Sequence, residues 1–258
     1  MIDAASRSAI VVDRLAKSYG PIVAVDSVSF AIAEGSTTGL LGGNGAGKTT
    51  TLSMLLGLLI PTGGQISIFG EDMLRHRYRV LPWMNFSSPY VDLPKRLSVR
   101  EMLTVYGHLY GVKGIRERIA SLARDLDLEP ILKRPIGALS SGQVTRAALA
   151  KSLVNEPRLL LLDEPTASLD PDTADWVRSF LESYRHRTGA TFLIASHNMA
   201  EVERLCDSVL IMRAGRIVDN GPPADLVARY GRRNLEEVFL DIARDREGIE
   251  RRTGRAAQ

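Results

Sequence analysis

Eight residues, Gly42-Gly43-Asn44-Gly45-Ala46-Gly47-Lys48-Thr49, fit the phosphate-binding pattern G-x-x-x-x-G-K-[ST]. Glycines let a loop wrap tightly enough for successive backbone N–H groups to point at phosphate oxygens. A helix that follows presents its positive end to the same anion. In this pattern Lys48 reaches the β- and γ-phosphates, the Thr49 hydroxyl binds Mg2+, and Thr50 completes the ATP-binding set. A second element with chemistry is Leu159-Leu160-Leu161-Leu162-Asp163-Glu164. An apolar strand that ends in two acids delivers carboxylates to the carboxyl edge of a parallel sheet, where ligands bind. Asp163 would hold Mg2+, directly or through water, and Glu164 would polarise the attacking water. Many buried strands end in an acid, so this pattern gains its specificity from the phosphate loop.

The surrounding elements suit these groups. Thr38-Gly39-Leu40-Leu41 reads as a short buried strand leading into the loop, and Thr50 to Leu56 as a helix leading out. Arg158 to Asp163 and Thr191 to Ser196 are continuous apolar runs, as expected of central parallel strands buried on both faces. Ile10-Val11-Val12, Val28 to Ile32 and Gln65 to Gly70 read as further strands, the second a half-buried antiparallel edge. Helices between them make an α/β core. Ser98-Val99-Arg100-Glu101 is a capping box opening a helix. Ile119, Leu122 and Leu126 mark a second helix, and Ser140 or Ser141 can cap a third. The expected division is therefore a nucleotide-binding α/β core over 1–84 and 158–220, an all-helical insertion over 85–157, and a helical extension with a basic tail over 221–258.

The 258 residues suffice for one large domain or for one domain with an inserted lobe, and a hydrophobic content of 45% supports a sizeable core. A single cysteine, Cys206, excludes an internal disulfide and reads as a small core residue. Met1 to Arg7 carries no apolar signal segment, and the longest apolar runs are too short to span a bilayer, so a soluble chain is expected. Part of the net charge of +3 lies in Arg244, Arg246, Arg251, Arg252 and Arg255. Such a tail can touch nucleic acid or anionic lipid, but Asp245, Glu247 and Glu250 interleave, which favours a plain solvated end.

With Leu139-Ser140-Ser141-Gly142-Gln143, Ser168-Leu169-Asp170 and His197 added in that order, the chain resembles the ATP-binding-cassette (ABC) ATPases over about residues 8 to 220. Leu139 to Gln143 is similar to the family signature LSGGQ, with Ser141 in place of one glycine of the pair. Ser168 to Asp170 resembles the D-loop, His197 the switch histidine that senses the γ-phosphate, and Tyr19 the aromatic that stacks on adenine. The resemblance implies an ABC-type P-loop fold: a mostly parallel sheet, an antiparallel β subdomain and an inserted helical subdomain. It implies a dimer, simplest as a homodimer, in which each ATP lies between the phosphate loop of one copy and Ser140, Ser141, Gly142 and Gln143 of the other. It further implies Mg2+ as cofactor, an integral membrane permease as partner, and a place on the cytoplasmic face of the membrane. Each assignment has a plainer reading: a helix cap for the Ser140 turn, a structural histidine for His197, a packed ring for Tyr19.

Two departures stand out. Gly43 occupies a position where the family usually has proline or serine, which the loop should tolerate. The family's Q-loop glutamine has no counterpart in Val80 to Ser87; Asn85 is the nearest substitute as a metal contact, or else a turn residue with another group completing the site. The segment Ser88 to Pro94 also exceeds the expected length, in a region that borders the family's permease groove. The terminal Asn234 to Leu240 resembles a tail element of export systems, and is equally a plain amphipathic helix packing Leu235, Val238 and Phe239; import stays open as the direction. The rival classes are a soluble ABC ATPase acting on ribosomes or DNA, and an unrelated P-loop kinase or GTPase. The first usually carries two cassettes or a long coiled coil. The second leaves the signature stretch unexplained and would want an [NT]-K-x-D motif, which is absent. No direct nucleic-acid contact is expected.

Overall fold

The computed structural model describes residues 8–88 and 92–244. In chain order the strands and helices are β1 (Ser8–Tyr19), β2 (Ile22–Ala33), β3 (Thr37–Leu41), α1 (Lys48–Leu55), β4 (Gly63–Ile68), β5 (Glu71–Asp72), α2 (Arg77–Val80), β6 (Met84–Ser87), α3 (Val99–Leu109), α4 (Ile115–Asp125), α5 (Ser141–Leu153), β7 (Leu159–Asp163), α6 (Pro171–Thr188), β8 (Thr191–Ser196), α7 (Met199–Leu205), β9 (Ser208–Arg213), β10 (Arg216–Gly221), α8 (Pro223–Tyr230) and α9 (Leu235–Arg244). They form a four-stranded sheet of order β2-β1-β4-β5 and a six-stranded sheet of order β10-β9-β3-β8-β7-β6. β1 runs antiparallel to both β2 and β4, whereas β3 pairs in parallel with β9, and β6 with β7. The antiparallel sheet and the mostly apolar parallel strands are those expected of the ABC-type core.

The chain divides into two compact units, Met1–Leu74 with Leu193–Gln258, and Arg75–Phe192. In the first, β3 is buried along its whole length, as a strand covered on both faces must be. β2 alternates instead, with Val28 and Ile32 buried while Ser29 and Ala31 are exposed, which is the pattern of a sheet edge with one wet face. Gly221 ends β10, and Pro223 opens α8, where a missing N–H costs nothing. α9 buries Leu235, Val238 and Ile242, one stripe at helical spacing, and packs on α7 and α8. Its start is tied down by Glu203, whose carboxylate accepts from the Leu235 N–H. The basic residues beyond Arg244, and Pro89 to Val91 of the lengthened segment, lie outside the described residues.

The second unit holds α2 to α6 and the strands β6 and β7. Leu159, Leu160, Leu161 and Leu162 of β7 are all 0% exposed. The capping box of α3 is complete, with Ser98 Oγ accepting from the Glu101 N–H and Glu101 Oε2 accepting from the Ser98 N–H. Ile119, Leu122 and Ala123 of α4 turn inward, and Leu126 caps that face. The segment expected to be wholly helical from residue 85 opens with a strand instead: Met84 to Ser87 form β6, in register with Leu159 to Leu162 of β7. Four residues containing one asparagine and one serine carry no apolar period, so the pairing is set by the neighbouring strand and by α5, which packs on β6.

Candidate nucleotide site

The phosphate loop follows β3 and is shaped by two glycines that allow no substitute. A Cβ on Gly42 would lie 2.5 Å from the Met212 carbonyl oxygen and 2.9 Å from Ala46 Cβ. Gly47 has φ +104°, and a Cβ there would lie 2.6 Å from the Ala24 carbonyl oxygen. These are the two fixed glycines of the pattern. Gly43, where the family resemblance suggested tolerance, has open space around its Cα. α1 starts at Lys48 with Gly47 as a cap that has no side chain, so the first-turn N–H groups face the loop rather than a capping oxygen. Lys48 is 9% exposed and curls back over the loop, its Nζ donating to the carbonyl oxygens of Gly42 at 2.6 Å and Gly43 at 3.3 Å. Thr49 is exposed and Thr50 half-buried, while Thr51 turns inward to bond the Gly47 carbonyl at 3.0 Å. Asn44 and Gly45 are exposed, and Ala46 is buried. On its outer side the loop borders a cavity of about 420 Å³ closed by Met212, Arg213, Phe239 and Ile242. Arg213 donates to the Ile242 carbonyl, so α9 is fastened beside the loop.

Two further groups belong to the same unit. Tyr19 ends β1 and is 50% exposed; the Lys17 ammonium sits 5.1 Å from its ring centroid and also bonds the Ile60 carbonyl at 2.9 Å. An exposed ring with a cation on it can stack a further π-system. His197 is exposed at the turn between β8 and α7. A closed ring of hydrogen bonds surrounds that turn: the Asn198 N–H donates to Ser196 Oγ at 3.0 Å, Ser196 Oγ donates to Glu201 Oε2 at 2.7 Å, and the Glu201 N–H donates to Asn198 Oδ1 at 3.2 Å. Ser196 and Glu201 are 0% and 1% exposed. Sequence reading passed over both; the Asn198-x-x-Glu201 spacing signals a helix start, but only the fold shows the carboxylate turning back to Ser196.

The remaining candidates lie in the other unit. β7 ends in Asp163 and Glu164 follows it directly, each 8% exposed. Glu164 has φ +52° and Ser168 φ +61°, in the left-handed region that non-glycine residues seldom adopt. Such strain persists where function selects it. Asp170 caps α6, accepting from the Thr173 N–H at 3.0 Å and the Thr173 hydroxyl at 2.7 Å. Those two bonds, the backbone one foremost, hold its carboxyl below the usual aspartate range. A depressed folded-state value means that the charged cap stabilises above the ordinary aspartate range and loses its effect as acid takes the pH through the lowered value. Asp170→Ala should therefore lower the melting temperature at neutral pH, and the gap from the parent should close in strong acid. Thermal melts across a pH series check this, and a pH-independent gap would contradict it.

Ser140 and Gln143 form the capping box of α5: Gln143 N–H donates to Ser140 Oγ at 3.4 Å and Ser140 N–H to Gln143 Oε1 at 3.1 Å. The helix-cap reading and the anion-cradle reading are compatible, because capping uses the serine oxygen as acceptor and leaves its O–H to donate outward. Ser140 and Ser141 are exposed, with Gly142 half-buried behind them.

Asn85 does not fit the metal role expected of it. It is 3% exposed, its Nδ2 donates to Asn155 Oδ1 at 2.8 Å, and its Oδ1 accepts from the Phe86 N–H at 2.8 Å. It is level with Leu160, three residues or roughly 10 Å short of the carboxyl edge that Asp163 marks. Continuing the register beyond Ser87 and Leu162 brings Ser88, 6% exposed, level with Asp163.

The family model described as ABC transporter matches residues 25–167. Nod factor export ATP-binding protein I of Ralstonia nicotianae is 37% identical over 232 residues, covering 89% of this chain and 72% of that protein. A solved structure described as the ATP binding subunit of an ABC transporter superposes with a TM-score of 0.81 at 26% identity, over 91% of this chain and 99% of that one. A Clostridium perfringens structure, described as part of an ABC transporter complex, gives 0.78 at 29% identity over 87% and 92%. Likeness of this length in both sequence and fold places the chain in the ABC transporter family, among its ATP-hydrolysing subunits.

Proposed function

We propose that this chain powers an exporter: two copies close on two ATP molecules, and hydrolysis lets them part and works a separate membrane permease. The observation that carries the dimer is the α5 turn. Ser140 and Ser141 are exposed at the start of a 13-residue helix whose cap is already satisfied by Gln143, so their hydroxyls and the helix N-terminus remain available to a second anion. Export is supported by the likeness to Nod factor export ATP-binding protein I.

In this reading the phosphate loop and Lys48 bind the β- and γ-phosphates, and Tyr19 stacks on the base. Glu164 orients a water and takes its proton as the water oxygen bonds the γ-phosphorus and the bond to the β–γ bridging oxygen breaks. His197, fixed by the Ser196 and Glu201 ring, donates to the γ-phosphate. The donor set of Thr49 hydroxyl and Asp163 carboxylate is hard oxygen, which suits Mg2+. That ion, when bound, would neutralise charge on the phosphates. Among the described residues no helix is long and apolar enough to cross a membrane, so attachment to the inner face would come through the permease. Tagged chain purified from detergent-solubilised native membranes should bring down a polytopic membrane protein. Recovery with ribosomes or nucleic acid, and no membrane partner, would overturn the proposal.

A further inference from the structure

The signature turn opens α5 and the D-loop aspartate opens α6, and the first turns of these helices lie close together. A Cβ on Gly142 would lie 3.4 Å from Thr173 Oγ1 and 3.6 Å from Thr173 Cγ2. The same Thr173 hydroxyl donates to Asp170 at 2.7 Å. One threonine therefore bonds the Asp170 turn and lies beside the Gly142 turn. One helical turn further on, the contact repeats: the Arg146 guanidinium carbon lies 4.2 Å from the Trp176 ring centroid. Gly142 and Arg146 are four apart on α5, Thr173 and Trp176 three apart on α6, so each pair shares a helix face.

The second contact is held at both ends. Arg146 Nη1 donates to Asp127 Oδ2 at 2.6 Å, which keeps the guanidinium over the indole. Trp176 stacks on Phe180 at 5.5 Å, Phe180 faces Tyr184 at 6.1 Å, and Tyr184 stacks on Phe192 at 6.4 Å. Phe192 lies in β8 and is 1% exposed. A planar cation on indole is the most favourable of the cation–π pairings, and it is stiff because both partners are flat.

We infer that Arg146 and Trp176 form a clasp between α5 and α6 that makes the signature turn and the D-loop one rigid body presented to the second copy. Trp176 is a positioning residue, acting through Thr173 and Asp170. The inference rests on the ATP-held dimer proposed above: if α5 tilts against α6, the two turns no longer meet the opposite copy together, and closing the dimer has to re-order them.

The test uses the full chain carrying Glu164→Gln, so that ATP persists, with dimerisation in Mg-ATP followed by sedimentation. Adding Trp176→Leu should weaken the dimer about tenfold, the scale of a lost cation–π contact. Trp176→Phe, which keeps an aromatic face, should recover most of the loss. Arg146→Gln should match Trp176→Leu, and the double variant should lose no more than either alone, as for two halves of one contact. Binding of a fluorescent ATP analogue to the monomer should not change. A Trp176→Leu dimer as tight as the parent, equal losses from Phe and Leu, or additive losses in the double variant would overturn the clasp; general destabilisation predicts additivity. Should Trp176→Leu fail to fold, Arg146→Gln alone decides. A parent that stays monomeric in Mg-ATP would sink the dimer reading, and the clasp with it, before any clasp variant is measured.

Discussion

Glu164→Gln should bind ATP as the parent does and hydrolyse it about two to four orders of magnitude more slowly. The amide keeps the size and shape of the carboxylate, and one of its acceptor oxygens, but cannot take a proton from water. In the proposed site, binding is carried by other residues: the loop from Gly42 to Thr50 and Tyr19. Glu164 also sits at φ +52° at the end of a strand that is buried throughout, so its direction is set by the backbone rather than by chance packing. A single-turnover assay separates the outcomes. Slow chemistry with unchanged ATP affinity supports the role of base, and parent-like turnover removes Glu164 from it.

Gly47→Ala should abolish ATP binding, with a loss of roughly a hundredfold or more in affinity. Two costs coincide there. The backbone is at φ +104°, which an alanine adopts only under strain, and the new methyl would lie 2.6 Å from the Ala24 carbonyl oxygen and 2.8 Å from Met212 Cε. Relief requires the loop to open, and the N–H groups that converge on phosphate then diverge. Gly43→Ala is the contrast, since nothing lies within 4 Å of its Cβ position; it should bind nucleotide nearly as well as the parent. Equilibrium binding to both proteins checks the pair. Equal losses would mean that glycine count, rather than the conformation at residue 47, explains the loop.

The parts of this fold legible in the sequence are those whose physics is local. β7 and β8 are buried on both faces and so read as unbroken apolar runs. The Ser98 and Glu101 pair marks the start of α3 because capping needs only residues three apart. The phosphate loop is legible because Gly42 and Gly47 have no sterically possible replacement. What stayed hidden depends on pairing across the chain. Nothing in Met84-Asn85-Phe86-Ser87 announces a strand, and only its register with β7 puts Asn85 level with Leu160, three residues back from Asp163. The ring joining Ser196, Asn198 and Glu201 needs the β8-to-α7 turn to bring a buried carboxylate back on itself. Arg146 and Trp176 are thirty residues apart, and no spacing rule links them.

In the proposed dimer ATP is held between two copies of this chain, touched by the phosphate loop of one and the Ser140 turn of the other. The most direct measurement is the mass of the Glu164→Gln protein in solution, with and without saturating Mg-ATP, by sedimentation equilibrium, with Ser140→Ala added to the same protein as a second sample. The expected result is a dimer that forms only with ATP and weakens when Ser140 is changed. A species that stays monomeric at saturating Mg-ATP, or a dimer indifferent to both ATP and Ser140, would contradict it.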